Sequence, residues 1–204
     1  AEWRVDEAAQ ALMQGGEIDE ALIVAVSSGP ERIADYTPWP GRVGGSPRAV
    51  GGAAPDYARF LVDELKPFID RRYRTRPEPR HTAVGGSSLG GLLSLWLLLQ
   101  EPRTFGAALA VSPSLWWADR ALLHQVQALP PAAGPRPKVW LDMGLREGNE
   151  AVANARALRD AMRTRGWDAR QLRYLEDPEG QHDEASWAER VPAMLRYLYD
   201  KGSP

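Results

Sequence analysis

Short apolar runs alternate with longer segments of helical periodicity along most of the chain. The runs that predict strands are 21–26, 82–84, 107–111, 139–143 and 172–175. The segments that predict helices are 3–14, 56–73 with a kink at Pro67, 89–100, 119–129, 149–165 and a closing helix that contains Trp187, Val191, Leu195 and Leu198. Such alternation is typical of a parallel sheet with helices on both faces, whose ligands bind beyond the carboxyl ends of the strands.

The stretch Gly86-Ser87-Ser88-Leu89-Gly90 joins the second apolar run to a leucine-rich helix. It is a G-x-S-x-G sequence between a strand and a helix, the pattern of a nucleophile elbow, in which a sharp turn exposes a serine hydroxyl above a helix N-terminus. We therefore interpret Ser88 as a nucleophile and expect both flanking glycines to be needed for close backbone packing. The alternatives are a phosphate-binding loop, although the P-loop and dinucleotide motifs are absent, and a glycine-rich turn without chemistry.

Composition narrows the range of partners. The formal charge is −2, and 22 of the 25 basic residues are arginines scattered among acids, which argues against nucleic acid and anionic membrane surfaces. No apolar run reaches membrane-spanning length. The absence of cysteine excludes disulfides, thiolate metal sites and a cysteine nucleophile. We expect one domain over residues 1–204 that uses no cofactor.

Glu147 and His182 follow the fourth and fifth predicted strands, as Ser88 follows the second. Because parallel strands end at one edge of the sheet, the three side chains are expected to converge. A serine hydroxyl needs an imidazole to take its proton, and the imidazole needs a carboxylate to fix its tautomer. The order serine, acid, histidine is that of the α/β-hydrolases. The sequence thus predicts Ser88 as nucleophile, His182 as base, Glu147 as acid and the Leu89 N–H as an oxyanion donor.

Other residues compete for these roles. Asp142 precedes the same loop as Glu147 but is expected inside the strand, and Asp177 lies near the histidine in sequence. His81 lies at the wrong end of the elbow strand, and His124 lies in a helix with polar neighbours. No cluster of histidines and carboxylates has metal-ligand spacing, so we do not expect a metal mechanism.

Two adjacent tryptophans, Trp116 and Trp117, stand in a turn after the strand 107–111. Adjacent residues rarely both face a core, so one ring is expected to pack and the other to lie at the rim. An apolar wall for a substrate is the functional interpretation of both rings, and part of the long glycine- and proline-rich loop 28–55 is the second candidate wall.

These blocks together resemble the esterase family of the α/β-hydrolase superfamily that includes enterochelin esterases, feruloyl esterases, S-formylglutathione hydrolases and mycolyltransferases. The resemblance covers nearly the whole chain and rests on residues 32–38, 60–70, 86–91, 112–117, 141–147 and 180–182 with Trp187. It implies a three-layer α/β-hydrolase-like fold, with Ser88 as nucleophile, His182 as base and Glu147 as acid at the family's Gly-x-x-Asp/Glu position. Some siderophore esterases of the family work with a Ser-His dyad, which leaves the role of Glu147 open.

One departure from the family lies at the N-terminal side. Family members begin with further strands, one of which ends in a His-Asp-Gly-like loop that supplies the second oxyanion amide and lies beside the elbow strand. We therefore expect an N-terminally incomplete domain that is part of a longer one, or a sheet completed by a strand from elsewhere, for example in a homo-oligomer. Direct pairing of 21–26 with the elbow strand would refute this. The expected location is cytoplasmic, or periplasmic or secreted if an N-terminal segment is missing.

The function predicted from the sequence is that of a serine esterase. It would hydrolyse a small-molecule carboxylic ester through an acyl-enzyme on Ser88. The alternatives are an acyltransferase of the same fold, which passes the acyl group to an alcohol or sugar, and a non-catalytic α/β binding module.

Overall fold

The computed structural model describes residues 2–199; Ala1 and residues 200–204, which the single-domain prediction includes, lie outside the described residues. The helices are Val5–Gln14 (α1), Arg32–Tyr36 (α2), Ala54–Arg59 (α3), Lys66–Arg72 (α4), Leu89–Gln100 (α5), Trp117–Ala128 (α6), Asn149–Thr164 (α7) and Glu184–Tyr199 (α8). The strands are Pro40–Gly41 (β1), Val50–Gly51 (β2), Ala83–Ser87 (β3), Ala107–Val111 (β4), Lys138–Gly144 (β5) and Leu172–Asp177 (β6). β1 and β2 form a small antiparallel pair, whereas β3 to β6 form one parallel sheet in chain order.

The strands of the parallel sheet bury both faces. Along β5, Val139, Leu141 and Met143 pack into the core that contains α5, α6 and α7, and the intervening Trp140 packs with α8 on the other face. This alternation is the two-residue period of a strand. The α5 helix is apolar on nearly all sides, and its residues from Leu89 to Leu98 are buried. The architecture is therefore the layered α/β fold that the sequence predicted.

The helix predicted over 56–73 is divided into three parts. Between α3 and α4, residues Phe60–Leu65 form a π-helical segment that ends immediately before the first turn of α4. Pro67 lacks an N–H and cannot donate the hydrogen bond of a continuous α-helix, so the backbone widens just before it. The predicted irregularity at Pro67 is present as this wider turn.

The prediction of a strand at 21–26 is wrong. These residues adopt no strand, and the side chains of Leu22, Ile23 and Val24 are 50, 38 and 41% exposed. A parallel strand requires a neighbouring strand to satisfy its backbone groups, and among residues 2–199 none lies beside this run. Apolar composition alone is therefore insufficient here.

The elbow strand β3 is an edge strand of the parallel sheet in the part of the chain that the structure describes. It pairs with β4 on one side, and residues 21–26 do not pair with its other side. The observation that would have refuted an incomplete sheet is thus not found, and a completing strand stays a prediction.

Candidate active site

Ser88 lies at a strained turn between β3 and α5. Its backbone has φ 56° and ψ −121°, a combination that non-glycine residues rarely adopt. The backbone on either side is fixed to the β4 side of the sheet, because the Ser88 N–H donates to Val111 O at 3.0 Å and the Ser114 N–H donates to Ser88 O at 3.0 Å. This is the strand–turn–helix geometry of a nucleophile elbow.

The two glycines of the motif have different roles. A Cβ at Gly86 would come within 2.8 Å of the Gly90 backbone, so no side chain fits there. A Cβ at Gly90 would meet nothing closer than 3.9 Å, at the Tyr36 ring. The close backbone packing predicted for the two positions is therefore found between Gly86 and Gly90, but the expectation that Gly90 must itself lack a side chain is wrong.

Glu147 and His182 form a direct pair at the carboxyl end of the sheet. The His182 Nδ1 lies 2.6 Å from Glu147 Oε2, with the Glu147 side chain only 2% exposed and the His182 ring 46% exposed. Glu147 ends the short helical turn Leu145–Glu147 after β5, and the Gly144 N–H donates to its Oε1 at 2.9 Å. Because an ionised carboxylate only accepts hydrogen bonds, this contact places the His182 proton on Nδ1 and leaves Nε2 as the acceptor.

The ionised form of Glu147 is favoured by its surroundings. Burial acts to raise the pKa of this carboxyl, but hydrogen bonds from His182, Ser112 and the Gly144 N–H outweigh burial and lower the pKa below its ordinary value. Three donors converging on one carboxylate are the usual cause of such a shift.

Ser112 connects this pair to the rest of the sheet, and the sequence analysis did not single it out. Its hydroxyl donates to Glu147 Oε1 at 2.5 Å and accepts from the Trp187 Nε1–H at 3.0 Å and the Arg190 Nη2–H at 3.4 Å. The residue is buried and has a positive φ of 43°. The sequence signals were its position directly after β4, at the same sheet edge as the predicted site, and its place in the block 112–117 that resembles the esterase family.

Asp142, the alternative acid, forms an ion pair with Arg190 and makes no hydrogen bond with His182 in the described part of the chain. It is fully buried, and its Oδ1 accepts from Arg190 Nη1 at 3.0 Å and from the Ser112 N–H at 3.0 Å, while the Trp140 indole donates to Oδ2 at 2.6 Å. Burial raises the pKa of the Asp142 carboxyl to about 6, against the opposing effects of these donors. Asp177, the other candidate, lies 3.8 Å from the same guanidinium. Of the three carboxylates, it is Glu147 that pairs with His182.

Ser88 reaches the same edge of the sheet but is not hydrogen-bonded to His182 in the part of the chain that the structure describes. Its Oγ lies 3.1 Å from Ser114 Oγ. The His182 ring packs edge-on against Trp187 at 5.0 Å between centroids, and the Trp187 indole N–H donates to the Ser112 hydroxyl. Ser112 directly follows Val111, whose carbonyl accepts from the Ser88 N–H. The structure thus joins the acid and the histidine directly, and the elbow lies at the carboxyl end of β3, at the same edge of the sheet.

The two tryptophans lie in different environments. Trp117 is 1% exposed, its Nε1–H donates to Trp39 O at 2.7 Å, and its ring covers Gly41 and Gly51. The prediction of Trp117 as a substrate-binding residue is therefore wrong, because the ring packs in the core. Trp116 is 45% exposed and keeps its candidate role at the rim.

Residues 2–199 include no cluster of three or more histidines and carboxylates that could hold a metal ion. Over the same residues, no helix combines the length and the apolar character that crossing a membrane would require.

Comparison with known proteins shows which family the chain belongs to. The family model "Esterase", described as "Putative esterase", matches residues 1–198. The chain belongs to this esterase family. Membership supports ester hydrolysis, as does one relative that is named as an esterase. The uncharacterized protein YbbA of Bacillus subtilis is 24% identical over 96% of this chain and 80% of its own length. A siderophore enterobactin esterase of Emericella nidulans is 32% identical over 58% of this chain and 43% of its own length.

Solved structures share the fold of this esterase-family chain. An IroE-like serine hydrolase from Shewanella oneidensis superposes with a TM-score of 0.79 at 22% identity, over 96% of this chain and 66% of the other. The enterobactin esterase FES of Shigella flexneri superposes with a TM-score of 0.72 at 22% identity, over 92% of this chain and 44% of the other. The chain spans less than half the length of the named enterobactin esterases that it matches.

Proposed function

We propose that this esterase-family chain hydrolyses small-molecule carboxylic esters through a serine acyl-enzyme, with Ser88 as nucleophile, His182 as base and Glu147 as the acid that orients His182. One observation carries the proposal more than any other, namely the 2.6 Å contact between His182 Nδ1 and the buried Glu147 carboxylate. A serine in elbow geometry follows the end of a strand at the same edge of the sheet. The contact supports a triad over a Ser-His dyad, because the carboxylate already fixes the tautomer that a base requires.

The chemistry follows from these groups. The Ser88 Oγ attacks the ester carbonyl carbon while its proton passes to His182 Nε2, and the resulting oxyanion is stabilised by the Leu89 N–H. As the first residue of α5, Leu89 has an N–H without an intrahelical acceptor. The tetrahedral intermediate then collapses, and the alcohol leaves with the proton from His182. Water, deprotonated by the same imidazole, then attacks the acyl carbon. The bond from this carbon to Ser88 Oγ breaks as Oγ takes the proton back from His182, which releases the acid and restores the free serine.

In the structure the Ser88 hydroxyl pairs with Ser114, so the proposed reaction requires it to turn toward His182. Catalytic hydrogen bonds often tighten only when the substrate is bound. Ser114 is therefore proposed to hold the resting hydroxyl and not to take its proton, since a serine is far too weak a base.

Steady-state hydrolysis of p-nitrophenyl acetate and butyrate tests the proposal. Ser88→Ala is expected to lower kcat/KM by about 10³-fold or more, because the nucleophile is lost. Ser114→Ala is the matched control and should retain activity within about tenfold, because it removes only a neighbouring hydroxyl. Equal activities of the two variants would contradict the assignment of Ser88.

Product analysis with a competing alcohol distinguishes hydrolysis from acyl transfer. Free acid should remain the main product when a simple alcohol is added, and a dominant new ester would indicate an acyltransferase. Because two relatives are named as siderophore esterases, ester-linked siderophores are the first natural substrates to test.

A further inference from the structure

Ser112 has a hydroxyl whose hydrogen-bond direction is fixed by its neighbours. Its oxygen lies 3.0 Å from Trp187 Nε1 and 3.4 Å from Arg190 Nη2, and both of these groups can only donate. The two donors occupy the lone pairs of the oxygen, which leaves the single hydroxyl proton for Glu147 Oε1 at 2.5 Å. Ser112, Trp187 and Arg190 are all buried, so water has little access to these contacts. The hydroxyl proton therefore points at the Glu147 carboxylate.

The Glu147 carboxylate is fixed through one oxygen and contacts His182 through the other. Oε1 accepts from the Ser112 hydroxyl and from the Gly144 N–H at 2.9 Å, whereas Oε2 faces His182 Nδ1 at 2.6 Å. Turning the carboxylate would break both hydrogen bonds to Oε1, and a buried polar group that loses its partner is costly. The direction of Oε2, and with it the hydrogen bond to His182, thus depends on Ser112.

The orientation of the His182 ring is sensitive to that carboxylate. The ring is 46% exposed, and two of the contacts that orient it are Glu147 Oε2 and the Trp187 ring, which stands at 85° to the imidazole with 5.0 Å between the centroids. Displacement of a catalytic group by about 1 Å can lower a rate by about 10²-fold. A shift of the carboxylate would therefore be transmitted to the group that takes the Ser88 proton in the proposed reaction.

The backbone at Ser112 would suit a glycine better than a serine. Its φ is 43°, in the left-handed region where a Cβ is strained and glycine is not. The Ser112 N–H is held there by the Asp142 carboxylate at 3.0 Å and the Asp142 carbonyl at 3.2 Å. Because these backbone contacts need no side chain, a serine at this strained position points to its hydroxyl and the bond to Glu147.

We propose that Ser112 is a positioning residue of the esterase reaction. Its hydroxyl, directed by the Trp187 N–H, holds the Glu147 carboxylate and through it the His182 ring in the orientation that proton transfer from Ser88 requires. Ser112 is 1% exposed, so it acts through Glu147 and not on the substrate. The inference rests on the proposed function, because Ser112 has this role only if Ser88 and His182 react as described.

Inactivation of the full chain by a fluorophosphonate tests the proposal. Two quantities are measured separately: the second-order rate constant, and the final fraction of chains labelled at Ser88 by intact mass. Ser112→Ala and Ser112→Gly both lose the hydroxyl, but the backbone strain persists in the first and is relieved in the second. Each should lower the rate constant about 10–100-fold, while labelling still approaches completion.

A merely structural role predicts the opposite pattern, a smaller fraction of labelled chains with an unchanged rate constant for those that react. The matched control is Ser94→Ala, which removes an equally buried hydroxyl that donates to the uncharged Gly90 carbonyl. It should lower Tm yet keep the rate constant within about twofold. The proposal is overturned if either Ser112 variant reacts as fast as the unmodified chain, or if Ser94→Ala slows the reaction as much as they do.

A double-mutant cycle tests the part played by Trp187. Trp187→Phe keeps an aromatic ring beside His182 but removes the N–H that directs Ser112, and should lower the rate constant about 3–10-fold. In the Ser112→Gly background the same substitution should cost less than about twofold, because the N–H acts through the missing hydroxyl. Additive losses would overturn the role given to the Trp187 N–H.

The outcomes also distinguish this inference from the proposed function. An unmodified chain that is folded but not labelled at Ser88 would contradict both. Labelling of the unmodified chain, together with undiminished rate constants in the Ser112 variants, would overturn the inference alone and leave Ser88, His182 and Glu147 in their proposed roles.

Discussion

The carboxyl ends of β4, β5 and β6 differ from the outer edge of β3 in how completely their polar groups are satisfied. At the former, Ser112, Asp142, Glu147 and Arg190 form one buried hydrogen-bonded network that holds His182 through Glu147. At the latter, β3 has a strand partner on one side only among residues 2–199, and the apolar run 21–26 lies exposed and unpaired. The Glu147–His182 pair of the proposed site is thus held by side chains of this chain. On the side of β3 away from β4, no strand of residues 2–199 completes the sheet.

The contrast shows that the orientation of His182 and the supply of oxyanion donors depend on different parts of the structure. The orientation of His182 relies on side chains that the chain itself supplies and fixes. The second oxyanion donor is expected from a strand beside the elbow, and among residues 2–199 no strand pairs with that side of β3. Losing one such donor typically lowers kcat by about 10²–10³. We therefore expect normal activation of Ser88 together with reduced turnover wherever the sheet stays open.

The largest effect should come from breaking the buried ion pair. Arg190→Met leaves the Asp142 carboxylate without its guanidinium partner, and the side chains of both are at most 4% exposed. We expect a loss of about 3–5 kcal/mol in the free energy of unfolding, measured by urea denaturation. Adding Asp142→Asn should recover part of it.

The matched control for that variant is Arg196→Met, which removes the exposed Arg196–Glu17 pair, whose side chains are 50 and 48% exposed. That change should cost about 0–1 kcal/mol. Similar losses for the two variants would show that the network does not stabilise the carboxyl end as described.

A smaller effect is expected from Ser112→Ala, which removes the hydroxyl that donates to Glu147. A hydrogen bond to a charged group contributes about 1.5–3 kcal/mol. Because the native pKa of Glu147 is lowered, its stabilising contribution is present above the unfolded value of about 4.3 and is lost as pH falls through the native pKa. The variant should therefore be destabilised most at neutral pH, and its difference from the unmodified protein should shrink as the pH falls below the unfolded value and through the lowered native pKa of Glu147.

Ser94→Ala serves as the control for this pH dependence. Ser94 is equally buried, but its hydroxyl donates to the uncharged Gly90 carbonyl at 2.8 Å. The loss in the free energy of unfolding caused by Ser94→Ala should be similar at neutral and acid pH. A pH-independent loss for Ser112→Ala would count against an ionised Glu147 at this position.

The smallest effect on stability is expected from a substitution in the exposed run 21–26. Leu22→Ser changes a side chain that is 50% exposed, so the free energy of unfolding should change by only about 0.5 kcal/mol. Leu141→Ser, at a fully buried position of β5, should cost several-fold more. A large loss for Leu22→Ser would mean that the run is covered in solution, and sedimentation would then show whether a second copy covers it.

The sequence predicted best those elements whose local pattern is supported by packing within the chain. β4 and α5 begin and end where their apolar runs do, because both are buried on nearly all sides. The run 21–26 has an equally apolar pattern, yet it forms no strand because a strand also needs a neighbour. Strand formation is a property of a pair, and a single run cannot reveal it.

The site shows the same division. The location of Ser88, Glu147 and His182 at one edge of the sheet could be predicted because each lies shortly after the end of a parallel strand; their catalytic roles stay a prediction. Ser112 and Arg190 could not be predicted, since their role depends on contacts between residues 78 positions apart. Trp117 was assigned to the substrate because its sequence position resembles that of Trp116, and only the packing against Gly41 and Gly51 separates the two.

The most direct test of the account is labelling of the full chain with a fluorophosphonate, followed by peptide mapping. We predict stoichiometric modification at Ser88 that is abolished by His182→Ala and strongly slowed by Glu147→Gln, because the reagent requires a serine activated by an oriented imidazole. An unlabelled Ser88 in folded protein, or labelling that persists unchanged in His182→Ala, would contradict it.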